Sequence, residues 1–163
     1  MIKAISVFSF FVACFAFAKN SPTGCDTSLA YSLQNEGGKD AHHTTSISGK
    51  TVLVGGKGHK YAENIDFLAV QRGLLYCSPA IIQCFTDNKI TDPVDMVVSF
   101  QLQTSEMKKN GDISKASQIG IEWKSTKKPV TAEPCLKKLV SEIPFGLVVK
   151  QSTTMSIPIK IEN

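Results

Sequence analysis

The chain has 163 residues, of which 42% are apolar and 20% charged, with a net charge of +4. These are the proportions of a globular protein. The lysines are scattered, with Lys108-Lys109, Lys127-Lys128 and Lys137-Lys138 the only doublets, and no aromatic residues interleave with them, which sets a nucleic-acid surface aside.

Met1–Ala18 has the form of a secretory signal: Lys3 supplies the positive start, Ala4 to Phe15 the apolar run, and Ala16-Phe17-Ala18 an A-x-A cleavage site. The apolar run is too short to cross a bilayer, which takes about 20 residues, so no stable membrane insertion is expected after cleavage. Phe11-Val12-Ala13-Cys14 resembles a lipobox only faintly, because Phe11 is a poor residue at its place and the apolar stretch runs on past Cys14. Cys14 is therefore read as part of a discarded segment. The expected organisation is a cleaved signal over 1–18, a loop-rich arm over 19–61 and a folded domain over 62–163. Export puts Cys25, Cys77, Cys84 and Cys135 in an oxidising compartment, periplasmic or extracellular, where they form two disulfides in one of three pairings.

The arm is rich in Ser, Thr, Gly, Asn and His. Its clear strand signal is Ile47 to Val54, bounded by Gly49 and Gly55-Gly56, which allows one hairpin in the arm. From Ala62 to Tyr76 the pattern changes. Ile65, Leu68, Ala69, Arg72 and Tyr76 recur at helical spacing, Asn64 and Asp66 are candidate caps, and Gly73 weakens the end. Ser78-Pro79 reads as an N-cap followed by proline at the first helical position, opening a short helix to Phe85.

Val94 to Gln103 alternates as a strand, with Met96, Val98, Phe100 and Leu102 on one face. Asn110-Gly111-Asp112 is a hairpin turn, and Ile113 to Lys124 returns with Ile119, Ile121 and the sole tryptophan, Trp123, inward. Thr131, a candidate cap, opens a helix whose buried stripe is Cys135, Leu136, Leu139, Val140 and Ile143, ended by Pro144. Met155, Ile157, Ile159 and Ile161 then alternate with Ser156, Pro158 and Lys160 in a last strand. Pro158 cannot donate to a ladder, so this strand is expected at a sheet edge, or with the Pro158 side facing out. The fold class expected is a two-layer α+β domain, helix-strand-strand-helix-strand, with a three-stranded antiparallel sheet.

No catalytic motif stands out, and the chain reads as non-enzymatic. His42, His43 and His59 with Asp40 suggest a metal site only weakly, because adjacent histidines in a polar arm usually mark surface; no metal and no cofactor is expected. Gly55-Gly56-Lys57-Gly58-His59-Lys60 departs from a phosphate loop, since no Ser or Thr follows the lysine. Cys77 and Cys84 are not a C-x-x-C pair, and neither G-x-S-x-G nor H-E-x-x-H occurs. Asp92, Asp95 and Glu106 sit near strand ends and are read as surface acids.

The segment from about Ile65 to Ile161 resembles a TonB C-terminal-type domain of the AgmX/PglI C-terminal variety. The residues that carry the likeness are Cys84-Phe85 ending a helix, the Asn110-Gly111-Asp112 turn, Cys135-Leu136 opening the helix that ends at Ile143-Pro144-Phe145, and the strand Met155 to Ile161. The resemblance implies a bridge between Cys84 and Cys135, which leaves Cys25 with Cys77. It also implies a periplasmic adaptor that binds an envelope protein by β-strand addition. The edge in question would be Met155, Ser156, Ile157, Pro158, Ile159, Lys160 and Ile161. The chain departs from energy-transducing TonB proteins in lacking a retained membrane helix and a long Pro-rich spacer. The expected function is an exported, non-enzymatic protein-binding domain of the cell envelope. The alternative is a secreted inhibitor or effector that uses Asp40 to Lys60 as an insertion loop against an enzyme outside the cell.

Overall fold

The computed structural model describes residues 23–34, 40–57, 65–103, 114–147, 149 and 151–163. In chain order these form β1 (Ser32–Gln34), β2 (His42–Ile47), β3 (Lys50–Gly55), α1 (Phe67–Tyr76), α2 (Ser78–Asp87), β4 (Val94–Leu102), β5 (Ala116–Trp123), α3 (Glu133–Glu142) and β6 (Thr153–Glu162), with a 3-10 turn at Val130–Ala132 before α3. The signal-like segment, the Asn110-Gly111-Asp112 turn and His59 lie outside the described residues.

The architecture is α+β, but the expected three-stranded sheet is wrong. The sheet has six strands in the order β1-β2-β3-β6-β4-β5, all antiparallel. The additional three strands come from the segment expected to be a loop-rich arm. Ile47 to Val54 is not one strand but the turn and flanks of the β2–β3 hairpin. Ser48 and Gly49 occupy its two-residue turn with φ of 50° and 78°, the left-handed pair that matches the twist of the flanking strands. The reason the arm looked unstructured is chemical. Its outward residues Thr44, Ser46 and Thr51 are polar, and two of its inward residues, His43 and Thr45, are polar as well, so no apolar alternation shows.

The core lies between the inner face of this sheet and the helices. Met155, Ile157, Ile159 and Ile161 of β6 and Met96, Val98, Phe100 and Leu102 of β4 form its floor, all 3% exposed or less. Helix α1 packs over β2 and β3, α3 over β5, and α2 bridges the two helices. Asp66 caps α1 by accepting from the Ala69 N–H at 3.0 Å. Ser78 and Thr131 do not cap. The cap position of α2 is Cys77 and that of α3 is Ala132, so Ser78 is already the first residue of its helix and Thr131 belongs to the 3-10 turn. Phe145, fully buried, stacks on Phe100 with centroids 5.4 Å apart, and it lies over Gly73. A Cβ at Gly73 would come within 3.0 Å of the Phe145 ring. Gly73 is therefore a packing site for this ring rather than a weak helix end.

Candidate functional site

Met155–Ile161 is not an edge. Strand β6 pairs with β4 along its length, from Thr153↔Leu102 to Ile161↔Val94, and with β3 from Ile159↔Val54 to Glu162↔Thr51. The expectation failed because Pro158 lacks a donor on one side only. The Lys124 N–H donates to the Asp95 carbonyl at 2.8 Å, and backbone groups alternate sides along a strand. So Asp95, Val97 and Ser99 of β4 address β5, while Val94, Met96 and Val98 address β6. Their partners Ile161, Ile159 and Ile157 then bond to β4, and Pro158, Lys160 and Glu162 turn their backbone groups to β3. The described β3 ladder starts at Ile159, just past the residue that cannot donate. A proline is thus accommodated in an interior strand at the place where its second ladder ends.

The described edges of the sheet are β1 and β5. Strand β1 spans three residues, Ser32–Gln34. Strand β5 is longer, Ala116–Trp123, and pairs only with β4 among the described strands. Between Ser99↔Gly120 and Gln101↔Ser117 its register shifts, and Gln118 has φ of 51°, so β5 carries one extra residue there. A bulge of this kind bends the edge and blunts its early part. Beyond it the strand is regular. Glu122 and Gly120 address β4, and by the same alternation Ile121 and Trp123 direct their N–H and C=O groups away from the sheet. The side chains of Ile119, Ile121 and Trp123 turn inward as expected. Trp123 is 9% exposed, and its indole N–H donates to Glu133 Oε1 at 2.7 Å, which ties the edge strand to the first turn of α3. This bond from Trp123, with a second from Lys137, holds the Glu133 carboxyl below its ordinary range.

The four cysteines are joined as Cys25–Cys77 and Cys84–Cys135. Cys77 is fully buried at the joint of α1 and α2, and Cys84–Cys135 bridges α2 to α3. Two disulfides fit a chain that works in an oxidising compartment. No described helix is long and apolar enough to cross a membrane.

The residues considered for a metal diverge. His42 and His43 are successive residues of β2 and so face opposite sides of the sheet. The His42 ring bonds at Nδ1 to the Asp40 carbonyl oxygen, 2.9 Å away. His43 is buried, and its Nδ1 lies 3.1 Å from Gln71 Oε1. Gln71 in turn donates from Nε2 to the Ala41 carbonyl at 2.9 Å. Gly55, with φ of 99°, leaves the room for this: a Cβ there would fall 1.7 Å from Gln71 Nε2. Tyr31 closes the group with its ring edge-on to His43, centroids 5.1 Å apart. Among the described residues no cluster of three or more His, Cys, Asp or Glu could hold a metal ion.

Lys57 lies on the outer sheet face beside Ser156 and Pro158, in a hollow shared with the Glu122/Lys124 and Asp95/Lys160 ion pairs. Asp40 to Lys57 is therefore no free insertion loop, because most of it is the β2–β3 hairpin inside the sheet. No protein-family model matches the chain, and neither a curated protein nor a solved structure matches it.

Proposed function

We propose that this chain is an exported, non-enzymatic protein-binding domain of the bacterial cell envelope, an adaptor that takes up an extended segment of an envelope protein as a seventh strand along β5. The observation that carries the reading is the outward aim of the Ile121 and Trp123 backbone groups on a regular edge beyond the Gln118 bulge. Main-chain hydrogen bonds supply the affinity in such additions, and alternate side chains supply the specificity. The signal-like Met1–Ala18, the two disulfides and the resemblance of Ile65–Ile161 to TonB C-terminal-type domains support the same reading, with the docking edge moved from β6 to β5. Periplasmic residence is favoured over release from the cell, because an adaptor needs its partner at hand.

The test is capture of envelope proteins by the mature Lys19–Asn163 domain with its disulfides intact. Ile121→Pro removes an outward donor and leaves the β4 ladder its bonds. Ile121→Ala loses similar packing and keeps the donor. Capture of a specific envelope protein should fall at least about tenfold with Ile121→Pro and persist with Ile121→Ala. Equal capture by a folded Ile121→Pro protein would remove β5 from consideration.

A further inference from the structure

The two disulfides differ in what surrounds them. Cys77 is fully buried and Cys25 half-buried. Cys84 is nearly buried as well, but Cys135 is exposed, and both line a solvent-open groove of about 520 Å³ between α2 and α3, walled by Pro79, Ala80, Lys138 and Leu139. A thiolate from solution can therefore approach the exposed Cys135 along the groove. Thr23 and Gly24 line the same groove, but of the first bridge Cys77 is fully buried at the α1–α2 joint and Cys25 half-buried, and the Asp26 N–H fastens that chain to the Tyr76 carbonyl at 2.8 Å.

The accessible bridge is also wired to the edge strand. Phe85 follows Cys84 and meets the Trp123 ring edge-on, with centroids 6.3 Å apart. Glu133 precedes Cys135 by two residues and accepts the Trp123 indole N–H. The sole tryptophan, on β5, thus touches the immediate surroundings of both cysteines.

We infer that Cys84–Cys135 is an exchangeable redox clamp for a dithiol reductant, that Cys25–Cys77 is a permanent staple, and that opening the clamp is felt at β5 through Trp123. The attacking thiolate bonds to the sulfur of Cys135, the more exposed residue of the pair, the S–S bond breaks, and Cys84 leaves as a thiolate that takes a proton from water. The second thiol of the reductant then attacks the mixed disulfide and releases Cys135. The dithiol becomes a disulfide, and the protein gains two electrons and two protons. Cys135 lies in the first turn of α3, whose N-terminus has no side-chain cap, and that helix end favours the Cys135 thiolate released in the second step. With α2 unlinked from α3, Phe85 and Glu133 are no longer held together around the indole.

The inference does not depend on the partner proposed above, and its test needs none. The oxidised domain is exposed under native conditions to dithiothreitol, and separately to a thioredoxin-type dithiol protein. Free thiols are then trapped by alkylation and assigned by mass spectrometry while Trp123 emission is followed. Cys84 and Cys135 should be modified at least about tenfold faster than Cys25 and Cys77, and the change in emission should track that first step. Equal rates for the four cysteines, or earlier release of Cys25 and Cys77, would overturn the clamp. Emission unchanged through the first step would overturn its link to β5. Because the wild-type chain is used throughout, the result does not hinge on a cysteine variant folding.

Discussion

The His43 imidazole packs against Tyr31 and Gln71, and burial first, then repulsion from Arg72 and His42, hold its proton affinity below the ordinary value, with the Gln71 bond acting in the opposite direction. Gln71 gives its amide hydrogen to the Ala41 carbonyl, so its oxygen faces His43, and the neutral ring must carry its proton on Nδ1. The sign of the pH dependence follows. The unfolded chain takes up a proton near the ordinary value of about 6.5, whereas the folded chain takes it up only at lower pH. The stabilising contribution is complete above that value and is lost as pH falls below it. Urea unfolding should show lower stability at about pH 5.5 than at about pH 7.5, a range above the carboxylate titrations, and the difference should shrink in His43→Asn. A pH response unchanged in that variant would clear His43 of any part in it.

At the scale of elements, Gly73 on α1 sets two effects of similar size against each other. An alanine inside a helix is favoured over glycine by about 1 kcal/mol. Against this, its methyl would come within 3.0 Å of the Phe145 ring, and forcing extra atoms into a packed core costs about 1–3 kcal/mol. Phe145 has no room to retreat, because it stacks on Phe100 and its backbone exchanges hydrogen bonds with Ser114 in both directions at 3.0 Å. The packing term wins, so Gly73→Ala should destabilise the domain by about 1 kcal/mol in denaturant titration. A gain in stability would mean that the Phe145 segment yields easily. This packing also explains why the spacing in α1 misleads: a glycine that reads as a weak helix end is where the segment after α3 crosses the helix.

Over the whole molecule the Cys25–Cys77 bridge attaches the chain before β1 to the joint of two helices across a sequence separation of 52 residues. A loop of that size corresponds to about 4 kcal/mol of unfolded-state constraint. Replacing both residues by serine should therefore lower the melting temperature by on the order of 10 °C, measured by circular dichroism on the oxidised protein. A shift under about 3 °C would show that β1 and β2 hold the N-terminal part without the staple. That is a real contest, because Thr45 Oγ1 already donates to the Ala30 carbonyl at 2.6 Å and β2 is paired on both sides.

Much of the fold was legible along the chain. The alternation in Met96 to Leu102 and in Met155 to Ile161 falls where the structure buries it, and so does the stripe Leu136, Leu139, Val140 and Ile143, whereas Cys135 of that stripe is exposed. The spacing read in α1 names the wrong face: Ile65, Leu68, Ala69, Arg72 and Tyr76 are only half-buried, and the helix buries Phe67, Val70, Gln71, Leu74 and Leu75 instead. Those signals are local, since side-chain period follows directly from backbone geometry. The polar strands β1 and β2 escaped because inward His43 and Thr45 are satisfied by Gln71 and Ala30, residues distant in sequence that no local window contains. The open edge of the sheet escaped for a related reason. Pro158 told that one side of β6 could not donate, but which strand stands on that side is set by pairings such as Val54↔Ile159 and Met96↔Ile159 across long stretches of chain. By itself the sequence determined the three helices, the strands β4, β5 and β6, and the inward faces of β4 and β6. Only the tertiary structure decided the order of the strands, and with it the edge that is left open, because any strand's backbone can bond to any other's and the choice falls to the packing of the whole core.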